Sequence, residues 1–569
     1  MDTSSDITGT GVTMAVGLNK AAAWLKVFWE RYGRAPRILH IGNIANNAYI
    51  NAKMLNEIGY DCDVLCNDYY HIMGAPEWED VDFFIGPADH NYPDWTQINL
   101  GSYSRPLWFA QGPLQLCADY LKARRTGREL EASQLWGELS TINRSAPAGS
   151  VHRLSLLRRV QLTIRKTHES LVYLGRLTLL GTLYRLIRKI VPISLPTVQR
   201  RWLSVLALPV CALPALLLYG VAQIMRVGMF TAHLMDRQAR TFSNRFSHRF
   251  PDRADQLVFG DMDTPLLVAG VLKSLFRHYD LIHCYATAPI LPMLAGKQPY
   301  VAYEHGTIRE IPFEATPIGR LTALAYAEAD VVMLTNADAL YSLPKLRGPE
   351  QPRVHALHGF DERTIQRRLA IALARLGRTV RFGIEPSRPL FFSPARHDWA
   401  VKGNDVMLRA HAEICAKGLS PVLVLVRWGQ EIARSEALIE ELGVRDNIRW
   451  VEPLGKFELL AAYHDADAVL DQFVLECFGA VSIEVMSVGW AALVTSVDQD
   501  LMERFFGARI PLFSARSVEQ VATALESVIT DPEGARRMTG AALEWMERYH
   551  SHERVLDRLG EAYAATEVV

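Results

Sequence analysis

Short apolar runs that stop at polar or small residues recur along this chain with helical spacing between them, and no other feature limits the fold as much. RILHIGN, from Arg37, reads as a strand running into a turn at Gly42. NAYINAKMLNEIGY follows with helical spacing and ends at Gly59, and DCDVLCND supplies the next strand. Strand, glycine turn, helix and strand open a doubly wound parallel sheet, because a parallel neighbour is reached only by a crossover that packs on the sheet. DLIHCYA, QPYVAYEHGT, ADVVMLTN and RVHALHGFD, between about residues 264 and 362, continue one such unit. PLFFSPA, PVLVLVRWG, NIRWVEPL, AVLDQF and AALVTSV, from residue 389 on, form another. The pattern predicts an α/β chain of two Rossmann-like domains facing a cleft, with ligands at the carboxyl ends of the strands. An α-rich tail beginning PEGARRMTG closes the sequence.

Composition narrows the function classes. With 569 residues, 49% hydrophobic and 22% charged, the chain has the make-up of a folded enzyme-sized protein of three or four units. A net charge of −1 argues against nucleic acid as a partner, since binding a phosphate backbone takes a basic face. Seven cysteines without a CxxC pair fit neither a zinc site nor a disulfide framework, which points to a reducing, cytoplasmic setting. The start carries Asp2 and Asp6 and lacks the basic-then-apolar order of a signal peptide. Residues 14–32, with Trp24, Phe28 and Trp29 among Lys20, Lys26 and Arg31, read as a helix that either lies on a membrane surface or packs on its own protein.

One stretch breaks the α/β rhythm. Residues 151–201 hold eleven Lys or Arg against one acid, Glu169, and Leu203–Met225 is then uncharged for 23 residues. That is long enough to cross a bilayer. A lone crossing would place strands of one sheet on opposite sides, however, and a second leg at 171–193 would put Arg176, Arg185, Arg188 and Lys189 in hydrocarbon. Pro209 and Pro214 suit a broken segment. A monotopic hairpin with its basic run on anionic headgroups is the favoured reading, and a buried helix pair the alternative.

ECFGAVSIE, Glu476–Glu484, sets two carboxylates eight residues apart at a strand-to-helix junction. Free N–H groups at a helix start bind a diphosphate, and carboxylates accept hydrogen bonds from sugar hydroxyls. Gly42 is either a second phosphate turn or an ordinary connection. An isolated Glu pair at this spacing is usually a solvated helix face, but the apolar run ECFGAVSIEVMSVGWAALVT around it speaks against that here.

Glu476-x7-Glu484, with Phe478, Gly479 and Gly489, resembles the GT-B glycosyltransferases of the retaining, family-4-like type (glycosyl transferases group 1), over about residues 36–110 and 265–560. The resemblance implies that Glu476 contacts the transferred sugar and that Glu484 binds the nucleotide ribose. Arg396 and Lys402-Gly403, in SPARHDWAVKGNDVML, are similar to the family's Arg and Lys that grip the donor diphosphate, with a spacing one residue longer than its commonest form. His305, in YVAYEHGT, resembles the family's His beside the reacting sugar, and HGFD at His358–Asp361 its domain border. The family's final helix crosses back to the first half. The implied layout is an N-terminal helical extension (1–35), an acceptor domain (36–120 and 260–365), a helical, membrane-associating insert (121–259), a donor domain (385–540) and a crossover helix (541–569).

The expected activity is transfer of a sugar from a nucleotide-diphosphate donor, with retention, to a lipid-linked or membrane-proximal glycan acceptor at the cytoplasmic face of the cell membrane. The family attributes retention to front-face attack assisted by the leaving diphosphate, so neither a protein nucleophile nor a cofactor or metal is implied. Asp261-Met-Asp263 looks like a metal-binding DxD but reads as a loop or helix cap. A sugar-nucleotide epimerase or phosphorylase on the same fold is the nearest enzymatic alternative, and a non-catalytic membrane-bound scaffold is the alternative of another class.

Overall fold

The computed structural model describes residues 19–83, 89–144, 231–356, 358–376 and 381–568. The basic run 151–201 and the uncharged run 203–225 lie outside the described residues. Seven strands form the first sheet: β1 (Arg37–Ile41), β2 (Asp61–Asn67), β3 (Phe109–Gly112), β4 (Leu281–Tyr285), β5 (Tyr300–Tyr303), β6 (Val331–Leu334) and β7 (Arg353–His355). Their order in space is β3-β2-β1-β4-β5-β6-β7. Six form the second: β8 (Leu390–Ser393), β9 (Val422–Val426), β10 (Ile448–Val451), β11 (Ala468–Leu470), β12 (Ala492–Thr495) and β13 (Phe513–Ser514), ordered β10-β9-β8-β11-β12-β13. The ladders are parallel, with Ile38 facing both Cys62 and Leu281, and Phe391 facing both Leu423 and Ala468. Both sheets wind outward from their first strand. Each therefore has its switch point beside that strand, between β1 and β4 and between β8 and β11, where open α/β sheets bind ligands.

The strands are apolar along nearly their whole length because helices cover both faces. Leu390–Ser393 and Val422–Val426 are buried at every residue. The runs read from the sequence correspond to β1, β2, β4–β7 and β8–β12. Two strands were not read: β3, four residues long, and β13, two.

Packing moves two of the expected borders and decides how the first helix is placed. Helices Leu114–Arg125 and Glu129–Arg144 cover β2 and β3, burying Cys117, Leu121 and Leu139. Arg125 Nε lies 2.6 Å from the buried Asp63 of β2. Residues 121–144 thus belong to the first sheet and not to an insert. The helix Lys20–Tyr32 packs on its own protein, with Trp24 and Phe28 buried beside Tyr60 and Tyr563, and with Trp29 and Tyr32, the other two of its four large aromatic residues, on the outside. At the other end, helix Pro532–His550 packs on the second half, and His552–Ala564 packs on β6, β7 and Lys20–Tyr32. The chain therefore returns at Ser551.

Asp261 and Asp263 sit at the start of helix Phe259–Phe276. Asp261 is buried and takes both Arg320 bonds, at 2.7 and 2.8 Å, which makes it a brace between helices. No helix among the described residues is long and apolar enough to cross a membrane.

Candidate functional site

A cavity of about 240 Å³ opens at the carboxyl ends of the two sheets. The first half contributes Tyr49, Lys53, Trp78, His305 and Arg309 to its wall, and the second Lys456, Phe478, Gly479 and Glu484. The bend after β11 shapes the second side. Helix Ala480–Val488 starts from Gly479 with no side chain capping its first N–H groups, so these donors are open to a ligand. A Cβ at Gly479 would lie 3.0 Å from Asp471 Oδ2, so glycine is what lets this turn close over β11. Phe478, buried, holds the turn edge-on against Trp545, with ring centres 5.9 Å apart.

Glu484 reaches the cavity one turn into that helix. Its Oε1 is bonded to Lys456 Nζ, and its Oε2 lies 3.5 Å from the Tyr463 hydroxyl. Lys456 is buried and stands 5.3 Å over the Trp78 ring of the opposite half. A buried charge of this kind holds only with its partner in place.

Lys402 lies behind this wall, at the end of the short helix Trp399–Lys402 that follows β8. Its ammonium group is 3.0 Å from Asp471 and 2.8 Å from Gln472 Oε1, spanning the β8–β11 switch point. Asp471 also accepts a bond from Ser482 Oγ at 3.1 Å, which connects Lys402 to the helix at Gly479. Gly403 adopts a left-handed φ of 68°, and a Cβ there would press on Phe473 at 3.2 Å.

His305 and His358 meet edge to face, with ring centres 4.9 Å apart. His358 Nε2 lies 3.4 Å from the Phe478 carbonyl, a link between the halves. Burial, with His358 and Arg309 adding to it, pushes His305 down to about 3, and burial takes His358 to about 4. Both rings are neutral at neutral pH and act as hydrogen-bonding groups. His305 Nδ1 is buried without a hydrogen-bond partner. Opposite, Ala45 and Asn46 hold positive φ values of 49° and 54° just before helix Asn47–Glu57, a strained approach to the cavity wall.

The structure thus gathers His305, Phe478, Gly479 and Glu484 around one cavity, with Lys402 and Gly403 directly behind. Three other expected residues lie apart. Glu476 is exposed and paired with Arg516 at 3.2 Å. Arg396 is half-exposed and paired with its neighbour Asp398 at 3.0 Å. Gly42 donates its N–H to the Leu65 carbonyl at 2.9 Å and does not line the cavity. Sequence reading missed Lys456 and Arg309. Arg309 follows His305 within one turn in HGTIRE, a findable signal, but Lys456 in LGKFELL reads as an ordinary exposed lysine. Among the described residues, no group of three or more His, Cys, Asp or Glu is placed to hold a metal ion.

Comparison with known proteins adds the following. Residues 380–545 match the family described as Glycosyl transferases group 1. The chain is 27% identical over 330 residues to the D-inositol 3-phosphate glycosyltransferase of Rhodococcus jostii, covering 53% of this chain and 71% of that protein. It is 28% identical over 219 residues to that of Nocardia farcinica, covering 37% of this chain and 48%, about half, of that relative. Among solved structures it is similar to a UDP-forming α,α-trehalose-phosphate synthase from Burkholderia xenovorans, with a TM-score of 0.44, 18% identity, and coverage of 58% of this chain and 85% of that one.

Proposed function

From the premise that the chain is a glycosyltransferase with a glycosyl transferases group 1 domain at residues 380–545, we propose that it moves a sugar from a nucleotide-diphosphate donor to an acceptor, with retention. The observation that carries this reading is the open helix start at Gly479 with Glu484 and Lys456 in the same cavity wall and Lys402 behind it. In this reading the diphosphate lies on the helix N–H groups, Lys402, joined by Arg396 once it exchanges its exposed Asp398 pair, offsets the charge that grows on it as the glycosidic bond breaks, and Glu484 accepts the ribose hydroxyls. His305, kept neutral, hydrogen-bonds the reacting sugar. Glu476 takes its place on that sugar by exchanging its exposed Arg516 pair, a pair worth little in water. The nucleotide sugar is a co-substrate, and no resident cofactor or metal takes part.

Glu484→Gln is the test of the donor site, because glutamine keeps an oxygen for Lys456 while removing the charge-assisted bonds to ribose. Donor affinity, measured by calorimetry against a panel of nucleotide sugars, should fall by about 1–3 kcal/mol. Equal affinity in parent and variant would refute the assignment. Running the same panel with free phosphate and without acceptor separates transfer from phosphorolysis and epimerisation, and tight binding without turnover would favour a scaffold.

The acceptor is proposed to be membrane-associated, lipid-linked or part of an envelope glycan, with the chain bound peripherally or monotopically on the cytoplasmic face. Support comes from residues 151–225, where eleven basic residues precede 23 uncharged ones. The basic part adds roughly 1 kcal/mol per residue at an anionic surface and is screened by salt, whereas apolar burial is not. The protein should therefore pellet with anionic vesicles, resist high salt and be released by detergent; full recovery in the supernatant at low salt would sink the membrane reading. D-inositol 3-phosphate, which the relatives carry in their name, belongs in the acceptor assay beside membrane extracts, and turnover with it alone would move the acceptor to a soluble polyol phosphate.

A further inference from the structure

A second cavity, of about 330 Å³, shares no lining residue with the first. It is walled by the first half at Asn51 and His355, by the second at Phe505 and Arg548, and by the returning helix at Arg554 and Arg558. Two of its wall residues carry a buried polar atom without a hydrogen-bond partner: His550 Nε2 and Asn51 Oδ1, on residues that are each 1% exposed. Such orphaned groups cost free energy, and two of them on residues that wall one hollow give a polar occupant groups to bond once their side chains turn toward it. Burial keeps the His550 ring neutral, so Nε2 can donate or accept.

The charges at the rim narrow the occupant's chemistry. Lys20, Arg548, Arg554 and Arg558 line the cavity, against Asp557 alone among acids. Arg554 pairs with Asp557 at 3.1 Å, while Lys20 and Arg558 share Glu561 at 3.1 and 3.0 Å. Arg548 stands 5.3 Å over the Tyr549 ring and has no carboxylate partner among the described residues. Four cations against two carboxylates leave an excess of two positive charges, the complement of a phosphomonoester dianion. Phe505, stacked on His355 with ring centres 4.5 Å apart, offers an apolar wall for a carbon skeleton, and the volume is that of a small-molecule site.

We propose that this cavity binds a small phosphorylated metabolite, with its phosphate on Arg548 and Arg558 and its hydroxyl-bearing body hydrogen-bonded by His550 and Asn51. The proposal does not rest on the donor-site reading. Its occupant contacts both halves and the segment that returns between them, so binding holds the three together.

Calorimetry on the full chain with three probes, inorganic phosphate, glycerol 3-phosphate and glucose 6-phosphate, tests this. At least one organic phosphate should bind more tightly than inorganic phosphate. The double variant Arg548→Ala/Arg558→Ala should weaken that binding about tenfold or more, and His550→Phe should remove the advantage over inorganic phosphate. Glu484→Gln, in the other cavity, should leave the affinity for these three probes as it is in the parent. Both arginines lie on helix surfaces, so an unliganded melting temperature equal to the parent's shows that the double variant folds. Absence of binding by all three probes at millimolar concentration overturns the proposal. So does binding that survives the arginine changes, or that is lost in Glu484→Gln, which would assign the phosphate to the cleft.

Discussion

Lys456→Met is expected to destabilise the second half by about 3–5 kcal/mol, because it strips the partner from Glu484 and leaves a carboxylate largely enclosed against Trp78 and Tyr463. Denaturant unfolding should show an earlier midpoint for the transition that carries the second half. The double variant Lys456→Met/Glu484→Leu should recover most of the loss, since an apolar pair of similar volume is often as stable as a buried ion pair. It should not recover donor binding. A single variant as stable as the parent would mean that water already reaches Glu484 and that the pair contributes little.

The second large effect is expected on turnover. Lys402→Ala should lower kcat by a factor on the order of 10²–10³ with a much smaller change in donor affinity, because a cation beside the diphosphate counts most as the leaving charge develops. The substitution also leaves Asp471 buried with only Ser482 to bond it, so stability falls as well. Lys402→Ala/Asp471→Asn separates the two: stability should return toward that of the parent while kcat stays low. Should kcat return with stability, Lys402 is a structural clamp across the β8–β11 switch point and has no part in the chemistry.

The architecture was legible because the physics that specifies it is local. A strand buried on both faces is apolar along nearly its whole length, and β6 and β9 can be read as such directly. β3 was missed because Phe109–Gly112 offers only two apolar residues, and β13 because Phe513–Ser514 is a single ladder step at a sheet edge. Residues 121–144 fall to the insert in the sequence reading because the resemblance stops before them, and Arg124 and Arg125 give no local sign of belonging to the first sheet. Their partners, Asp61 and Asp63, are some sixty residues upstream, and nothing nearby in the chain reveals the pairing. The site shows the same division. Gly479 and Glu484 share one helix start and could be placed by spacing. Lys456 reaches Glu484 from another helix after β10, and Glu476 is drawn to Arg516, contacts that exist only once the second sheet is assembled.

The pairing of helix Lys20–Tyr32 with helix His552–Ala564 sets a timetable for folding. Ala21, Trp24 and Phe28 share one hydrophobic core with Ile38, Val64 and Tyr285 of the first sheet and with Leu556, Leu559 and Tyr563 of the returning helix. Lys20 N and the Asp557 carboxylate that accepts from it are separated by 537 residues. The first half is thus begun before the second and completed after it: until the ribosome has made residues 552–564, Trp24 and the face of β6 and β7 that this helix packs on lack its cover. Domains commonly fold as they emerge, but this one must wait with apolar surface open through the making of the entire second half. A long-lived, aggregation-exposed intermediate during synthesis, rather than low final stability, is what this connectivity favours.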